Sequence, residues 1–243
     1  MKLMLTSAFG GECIVNGVRE SSVLIRDNGL LDNLRAIWQE NARVLIISAD
    51  PCDYDNNDTI RVCLGESFPM SGLSISSIDI CDNRNPEACD SLAEVDVLVF
   101  AGGHVPTQNR FMKRLCLRER LIGYDGVVLT LSAGSMNCAD TVYACPELDG
   151  EANDPTFQRW ISGLGLTDIN IFPHFQYLKD KYLDGSSMTD IIYGDSVGHE
   201  IFALNDGSYI LIIDGEATLY GEAYSILDGK ERLICRNGEV LAL

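Results

Sequence analysis

Ser132 is the residue whose type and setting most directly suggest covalent chemistry in this sequence. It follows an apolar, β-branched run over 127–131 and precedes Ala133 and Gly134. This pattern predicts a buried strand that turns sharply into a helix, with the serine on the turn. A serine held there can act as a nucleophile for acyl transfer, because backbone N–H groups of the turn can stabilise a developing oxyanion. Two features favour a simpler role as a helix cap: serine is a common cap, and Thr130 is bulkier than the glycine usual before such a nucleophile.

Three histidines could supply the general base that a serine nucleophile needs. His104 follows two glycines at the end of a predicted strand, and His174 ends another, which is the edge where ligands collect in parallel sheets. Because His174 lies in an aromatic stretch, a role as a core histidine is equally open. His199 begins a predicted strand and is expected to be a solvated edge residue.

Asp206 is the acid that the chain order offers to orient such a histidine. It follows His174, whereas the acid of an α/β-hydrolase precedes the histidine. Asp206 also stands directly before Gly207, and an Asp-Gly pair is typical of a turn in which the carboxylate bonds its own backbone. The residues alone leave open whether Asp206 orients a histidine or only shapes a turn.

Short apolar runs rich in β-branched residues alternate with helical patterns, which predicts a parallel sheet covered on both faces. The predicted strands are 2–7, 43–48, 73–80, 95–101, 126–131, 170–173 and 200–204. The predicted helices are 24–41, 59–66, 86–93, 107–121 and 133–143. The expected fold class is therefore α/β, with a doubly wound, mostly parallel sheet flanked by helices, in one domain over 1–243.

After Asn205 the pattern changes to short strands without helices. Asp-Gly or Asn-Gly pairs at 206, 214, 228 and 237 are strong hairpin signals and predict a C-terminal antiparallel hairpin region. The longest polar connection, 146–158, comes soon after the serine motif. Long loops in compact α/β domains often carry function, so this loop is expected near the site.

Composition and charge exclude several classes of protein. The 18 basic and 36 acidic residues give a net charge of −18, so nucleic acid is not an expected partner. Nine scattered cysteines without a C-x-x-C pair or zinc spacing predict free thiols in a reducing cytoplasm and no metal site. No apolar stretch approaches the roughly 18 residues of a membrane helix, so no membrane association is expected.

Four motifs, in this order and at this spacing, resemble the peptidase E (aspartyl dipeptidase) family of serine peptidases, which also includes cyanophycinase. They are Phe100-Ala101-Gly102-Gly103-His104, Ser132-Ala133-Gly134, Pro173-His174-Phe175 and Asp206-Gly207-Ser208-Tyr209. The resemblance covers most of the chain, from the first strand to about residue 215. It implies a class I glutamine amidotransferase-like fold with a flavodoxin-like, three-layer architecture.

The resemblance also implies roles for individual residues. Ser132 is the expected nucleophile, His174 the general base and then general acid, and Asp206 the residue that orients the imidazole. The backbone N–H groups of Gly103 and Ala133 are the expected oxyanion hole.

The resemblance also suggests an alternative acid and several candidates for substrate binding. Glu147 is the competing acid, because family members can carry an acidic residue fifteen positions after the nucleophile. His104, Lys179 and Lys181 are candidates for substrate binding. An aspartyl dipeptidase needs a cation to bind the substrate's Asp side chain, ideally an arginine, and between His174 and Asp206 only the two lysines are present.

We therefore expect a serine-type exopeptidase or dipeptidase that hydrolyses small peptides without a metal or cofactor, with an N-terminal Asp as one option. The acidic loop over 147–154 would attract a free amino terminus. The alternative enzyme is a cyanophycinase-like or β-aspartyl peptidase, in which the same loop would meet an arginine side chain. The alternative from another class is a non-catalytic amidotransferase-like domain that binds a small ligand or a protein. Monomer and homodimer are both left open.

Overall fold

The computed structural model describes residues 1–15 and 17–243. Its strands are β1 (Lys2–Thr6), β2 (Gly10–Val15), β3 (Val18–Leu24), β4 (Ala42–Ile47), β5 (Ile75–Cys81), β6 (Val97–Phe100), β7 (Val127–Leu131), β8 (Thr141–Tyr143), β9 (Trp160–Ser162), β10 (Ile171–Phe172), β11 (Tyr182–Leu183), β12 (Ser186–Ser187), β13 (Ile201–Leu204), β14 (Tyr209–Ile213), β15 (Glu216–Tyr220), β16 (Ala223–Leu227), β17 (Lys230–Cys235) and β18 (Val240–Ala242). Its α-helices are α1 (Leu30–Ile37), α2 (Tyr54–Met70), α3 (Val105–Arg114), α4 (Leu117–Arg120), α5 (Ala133–Met136), α6 (Phe175–Leu178) and α7 (Met188–Asp195). Asp27–Gly29 and Pro86–Glu94 form 3-10 helical segments.

Within these residues a central sheet of eight strands has the order β18-β15-β14-β1-β7-β6-β4-β5. The strands β1, β7, β6, β4 and β5 pair in parallel, and β14, β15 and β18 continue the sheet antiparallel to their neighbours. This arrangement confirms the predicted α/β fold with a mostly parallel sheet and an antiparallel C-terminal region. The carboxyl ends of parallel strands meet at one edge of a sheet, so the turns after β6 and β7 lie side by side.

The central strands are buried on both faces because apolar side chains occupy nearly every position. In β6, Leu98 and Phe100 pack among the side chains of α3, α4 and α5, whereas Val97 and Val99 pack among those of α1 and α2. Successive side chains of a strand point to opposite faces, so a continuous apolar run supplies both cores. All seven predicted strands are present, within two residues at each end.

The strands β10, β13, β16 and β17 form a second sheet. Two of the four predicted hairpin turns are confirmed, Asp214-Gly215 and Asp228-Gly229, each with positive φ at both positions. The predictions at 206 and 237 are wrong, because β13 and β14 lie in different sheets, as do β17 and β18. Asp206 therefore lies in a connection between two sheets and not in a hairpin.

The predicted helix 59–66 is part of the longer α2, 86–93 is the 3-10 segment Pro86–Glu94, and 107–121 is divided at Cys116 into α3 and α4. The other two predicted helices are partly replaced by different structure. In place of a helix over 24–41, β3 ends at Leu24 and α1 covers only Leu30–Ile37. In place of a helix over 133–143, α5 ends after one turn, and Thr141–Tyr143 forms β8, which pairs with β9. The second segment is apolar enough to be buried, and short apolar runs do not distinguish helix from strand by periodicity alone. In the first segment the polar residues 26–29 interrupt the helical pattern, and Asn28 and Gly29 have positive φ.

The antiparallel pair of β2 and β3, called the β2–β3 hairpin below, corresponds to no predicted element. Most of its side chains are exposed, including Ile14 and Val18 at 67% and 61%. It therefore lacks the alternation of buried apolar and exposed polar residues by which a strand is predicted. It packs against α2, at the edge of the site described below.

The structure bears on three broader expectations. All nine cysteines are free thiols. No described helix combines the length and the apolar composition that a bilayer crossing requires. The division into one domain, 1–243, stays a prediction, which is favoured by the presence of β1 and β18 in the same sheet.

Candidate active site

Ser132 lies on a sharp elbow between β7 and α5. Its backbone has φ 49° and ψ −111°, a conformation that L-residues rarely adopt. Such a conformation costs of the order of 1–3 kcal/mol, and it persists only where the surrounding structure enforces it. A strained serine between strand and helix is the arrangement of a nucleophile elbow.

A buried hydroxyl network ties the elbow to β1. The Ser132 N–H donates to the carbonyl of Thr6 at 3.2 Å. The Thr130 hydroxyl donates to the carbonyl of Met4 at 3.0 Å and lies 2.6 Å from Ser135 Oγ, which accepts the Thr6 N–H at 3.0 Å. The hydroxyl of Thr130 thus helps to anchor the turn.

Gly134 lets the elbow pack closely against β6. An added Cβ at this position would come within 2.7 Å of Phe100 Cβ and closer still to the Phe100 carbonyl oxygen. Position 134 therefore has no room for a larger side chain than that of glycine, since real Cβ contacts are not this short.

We expect Gly134→Ala to lower the free energy of unfolding by about 1–3 kcal/mol, the usual effect of overpacking a dense core. Urea unfolding followed by far-UV circular dichroism measures the change in midpoint. Gly194→Ala is the matched control, because Gly194 is exposed in α7 and an added Cβ would have no neighbour within 4 Å. That variant should be neutral or more stable by up to about 1 kcal/mol. Equal midpoints for Gly134→Ala and the wild type would contradict the close approach.

His174 and Asp206 meet at the same edge of the sheet as the elbow. His174 follows β10 and has left-handed backbone angles, φ 55° and ψ 29°, which turn the chain into α6. Its Nδ1 lies 2.6 Å from Asp206 Oδ1. A carboxylate bonded to Nδ1 selects the tautomer with Nε2 unprotonated, and an unprotonated Nε2 can accept a proton.

Ser7, directly after β1, joins the histidine to the acid. Its fully buried hydroxyl donates to Asp206 Oδ1 at 2.7 Å and accepts the backbone N–H of His174 at 2.7 Å. Asp206 is also oriented through its own N–H, which donates to Gln176 Oε1 at 3.0 Å. Sequence reasoning missed Ser7, although its place at the carboxyl end of a parallel strand was a usable signal.

The surroundings of Asp206 keep its carboxyl ionised. Burial opposes ionisation, but the hydrogen bonds from His174 and Ser7 outweigh it, so the pKa of Asp206 lies below its ordinary value. A carboxylate at this position stabilises an imidazolium when His174 takes up a proton.

Ser132 and His174 line two cavities, whose walls otherwise consist of different residues. The hairpin cavity, of about 420 Å³, extends toward the β2–β3 hairpin. Its wall includes Phe9, Arg19, Asn56, Leu64, Gly103 and Leu131. The loop cavity, of about 340 Å³, lies under the polar connection that follows β8. Its wall includes Met136, Cys145, Glu147, Leu178, Lys181 and Met188.

The predicted oxyanion residues lie beside the nucleophile. Gly103 lines the hairpin cavity with Ser132, and Ala133 begins the turn that follows Ser132. Within the described residues, neither backbone N–H donates to a protein acceptor. Gly103 packs so closely that an added Cβ would lie 2.7 Å from the Cβ of Ala49.

Glu147 lies in the loop cavity, apart from the histidine–carboxylate pair. The structure brings Asp206, and not Glu147, into hydrogen-bonding distance of His174. Glu147 is open to solvent, yet the protein around it partly desolvates the carboxyl and the charge of Glu151 repels it, which raises its pKa to about 7. A carboxyl group with a raised pKa thus lines the loop cavity.

The remaining predicted residues divide between the site and its surroundings. His104 is held by Thr107 Oγ1, 2.9 Å from Nδ1, while its Nε2 is at ion-pair distance, 3.0 Å, from Glu151 without hydrogen-bonding alignment. Lys181 lines the loop cavity. Lys179 is directed over the Phe175 ring, 6.0 Å from its centroid. His199 is exposed, as predicted, and stacks on Trp160 at a centroid distance of 4.0 Å.

Comparison with known proteins agrees with this description. A strained serine elbow beside a histidine–carboxylate pair, at the edge of a doubly wound sheet, defines a class of α/β proteins with a class I glutamine amidotransferase-like fold. The model of peptidase family S51 matches residues 54–220, so the chain belongs to peptidase family S51. It is therefore a peptidase, and this membership speaks against the non-catalytic alternative.

Two solved structures show the same fold. A peptidase from an acI-B1 Actinobacterium superposes with a TM-score of 0.64 at 14% identity, over 100% of this chain and 96% of the other. A putative peptidase E protein from Listeria monocytogenes EGD-e superposes with a TM-score of 0.60 at 14% identity, over 96% of this chain and 98% of the other. No curated protein matches the sequence. At this identity the likeness concerns the fold, so the site chemistry has to be argued from the residues themselves.

Proposed function

We propose that the protein is a serine-type exopeptidase of short peptides in which Ser132, His174 and Asp206 act as a relay. The observation that carries the proposal is the 2.6 Å contact between His174 Nδ1 and Asp206 Oδ1, beside a strained Ser132 that lines the same two cavities as the histidine. A histidine oriented in this way is the usual means of activating a serine hydroxyl.

The proposed reaction is acyl transfer to water. Ser132 Oγ attacks the peptide carbonyl while His174 accepts the hydroxyl proton, and the N–H groups of Gly103 and Ala133 hold the resulting oxyanion. Collapse of the tetrahedral intermediate breaks the C–N bond, and the imidazolium gives its proton to the departing amine. Water then attacks the acyl-enzyme while His174 accepts a proton from it. The bond to Ser132 Oγ breaks, His174 returns the proton to Oγ, and the carboxylic acid product leaves. Asp206 keeps its charge throughout and stabilises the imidazolium.

Two small cavities that both contain Ser132 and His174 in their walls favour a short substrate. Cavities of about 420 and 340 Å³ suit one or two residues each, which fits an exopeptidase better than an enzyme for long chains. Glu147 in the loop cavity, once ionised above its raised pKa of about 7, and the nearby Glu151 offer negative charge to the ammonium group of a free amino terminus. The proposed substrate is therefore a small peptide whose amino end lies toward the loop cavity.

A cyanophycinase-like or β-aspartyl peptidase is the second candidate. The observation in its favour is the same pair, Glu147 and Glu151, which could bind an arginine side chain in place of an amino terminus. A panel of α-dipeptides, β-aspartyl dipeptides and Arg-bearing β-aspartyl dipeptides separates the two. Turnover confined to the β-aspartyl peptides would favour the second candidate, and equal turnover of Asp-initial and neutral α-dipeptides would exclude an aspartyl specificity.

Labelling with a fluorophosphonate tests the assignment of the nucleophile. We expect one adduct on the folded wild-type protein by intact mass, and none on Ser132→Ala, because only a serine with an activated hydroxyl attacks the reagent. An adduct that persists in Ser132→Ala, or no adduct on the wild type, would contradict the proposal.

A further inference from the structure

Arg19 brings a positive charge to the wall of the hairpin cavity. It lies in β3, and the cavity that it lines also contains Ser132 and His174. Of the described residues that line this cavity, Arg19 is the one lysine or arginine. It lies outside residues 54–220, so the match to the family says nothing about it. Its role has to be inferred from its contacts.

Two neighbours hold the guanidinium in place. Arg19 Nη1 donates to Asn56 Oδ1 at 2.8 Å, and Nε lies 3.3 Å from Glu12 Oε2. Within the described residues, Nη2 has no acceptor at hydrogen-bonding distance, and the side chain is 31% exposed. A planar guanidinium that is anchored on one side and open on the other is suited to bind a carboxylate. Glu12 offsets part of the charge, so we expect a moderate preference for anions.

The rest of the hairpin cavity is mainly apolar. Phe9, Ile60, Leu64, Val99 and Leu131 contribute to its wall. A ligand that satisfies both parts of the cavity has an apolar side chain and a carboxylate close together. The C-terminal residue of a peptide has this combination, provided that its side chain is apolar and its carboxylate is free.

We propose that the hairpin cavity binds the C-terminal residue of the substrate, with its carboxylate on Arg19 and its apolar side chain against the cavity wall. This inference rests on the proposed function. It adds that the departing residue is apolar and carries a free carboxylate, so a dipeptide would lie with its amino end toward Glu147 and its carboxyl end toward Arg19. Arg19 could instead bind the carboxylate of an acidic side chain of the substrate. The experiment below distinguishes a C-terminal carboxylate from a side-chain carboxylate.

The kinetic test compares Ala-Leu with Ala-Leu amide and with Asp-Leu amide. We expect the wild type to prefer Ala-Leu over its amide by about tenfold or more in kcat/KM, mainly through KM, because a charged hydrogen bond to Arg19 is lost in the amide. Arg19→Gln should remove this preference, and Arg19→Lys should restore part of it. Arg232→Gln is the matched control, because Arg232 is an exposed arginine of β17 that lines neither cavity.

A binding measurement makes the test independent of catalysis. We expect leucine to bind the wild type and Arg232→Gln equally, and Arg19→Gln about tenfold more weakly, while leucinamide binds all three weakly and alike. Leucine that fails to bind the wild type, or binds Arg19→Gln as well as the wild type, would overturn the inference. A preference for Asp-Leu amide over Ala-Leu amide that disappears in Arg19→Gln would overturn it in favour of an acidic side chain. Arg19-dependent binding of leucine without fluorophosphonate labelling would instead contradict the serine relay and leave this inference standing.

Discussion

Replacement of Ser132 by alanine is expected to reduce kcat on a good dipeptide substrate by about a millionfold. In the proposed reaction Ser132 Oγ forms the covalent bond to the acyl group, and removal of the nucleophile from a serine peptidase leaves only the contributions of the oxyanion hole and of binding. The variant should fold normally, since Ser132 contributes its backbone, and not its side chain, to the bond with Thr6. Release of free amino groups over time measures the rate.

Ser76→Ala is the matched control, because it makes the same substitution at a serine with no proposed role in the reaction. Ser76 is exposed in β5 and lies outside both cavities, so kcat and KM should stay within about twofold of the wild type. Retention of more than about one per cent of wild-type kcat in Ser132→Ala would rule out a covalent role for this residue. In that case a residue other than Ser132 would have to be the nucleophile of this peptidase.

Asp206→Asn is expected to reduce kcat by about 10⁴-fold with a much smaller effect on KM. An amide in place of the carboxylate can donate to His174 Nδ1, which selects the tautomer whose Nε2 carries the proton and cannot act as a base. The amide also lacks the negative charge that stabilises the imidazolium. Steady-state kinetics between pH 6 and 9 measure both parameters, and wild-type unfolding midpoints would show that the fold is intact.

Glu147→Gln is the matched comparison, because it makes the same chemical change in the competing acid. Since Glu147 lies away from His174 Nδ1, we expect kcat to change by less than about tenfold. We expect KM to rise for peptides with a free amino group but not for their acetylated forms, because only the former carry the ammonium group. A large loss of kcat in Glu147→Gln, with little loss in Asp206→Asn, would reverse the assignment of the two acids.

Much of the fold is predictable because its signals are local. The runs that form β1, β6 and β7 are mostly apolar, and a strand buried on both faces leaves that pattern in the sequence. The failures occur where local signals are shared by different structures. The segment after α5 has the apolar residues of a buried helix but forms β8. Most side chains of the β2–β3 hairpin are exposed, so its sequence lacks the alternating pattern by which strands are predicted.

The residues of the candidate site also differ in how well the sequence predicts them. Ser132 is predictable because the strand, the turn and the small residues that follow are adjacent in the chain. The partnership of Asp206 with His174 is not, since an Asp-Gly pair predicts a turn equally well. Only the placement of β13 and β14 in different sheets shows that Asp206 lies in a crossing connection, where its side chain reaches the histidine.

The sequence by itself determined the α/β fold class and the position of the serine elbow, and it offered His174 together with two competing acids, Asp206 and Glu147. The tertiary structure decided which acid reaches the histidine, that Ser7 contacts both of them, and that Arg19 of the β2–β3 hairpin lines the hairpin cavity. The physical reason is distance along the chain: Ser7 contacts residues 167 and 199 positions away. Such contacts depend on strand order and on the packing of separate elements, which no local pattern of residue types records.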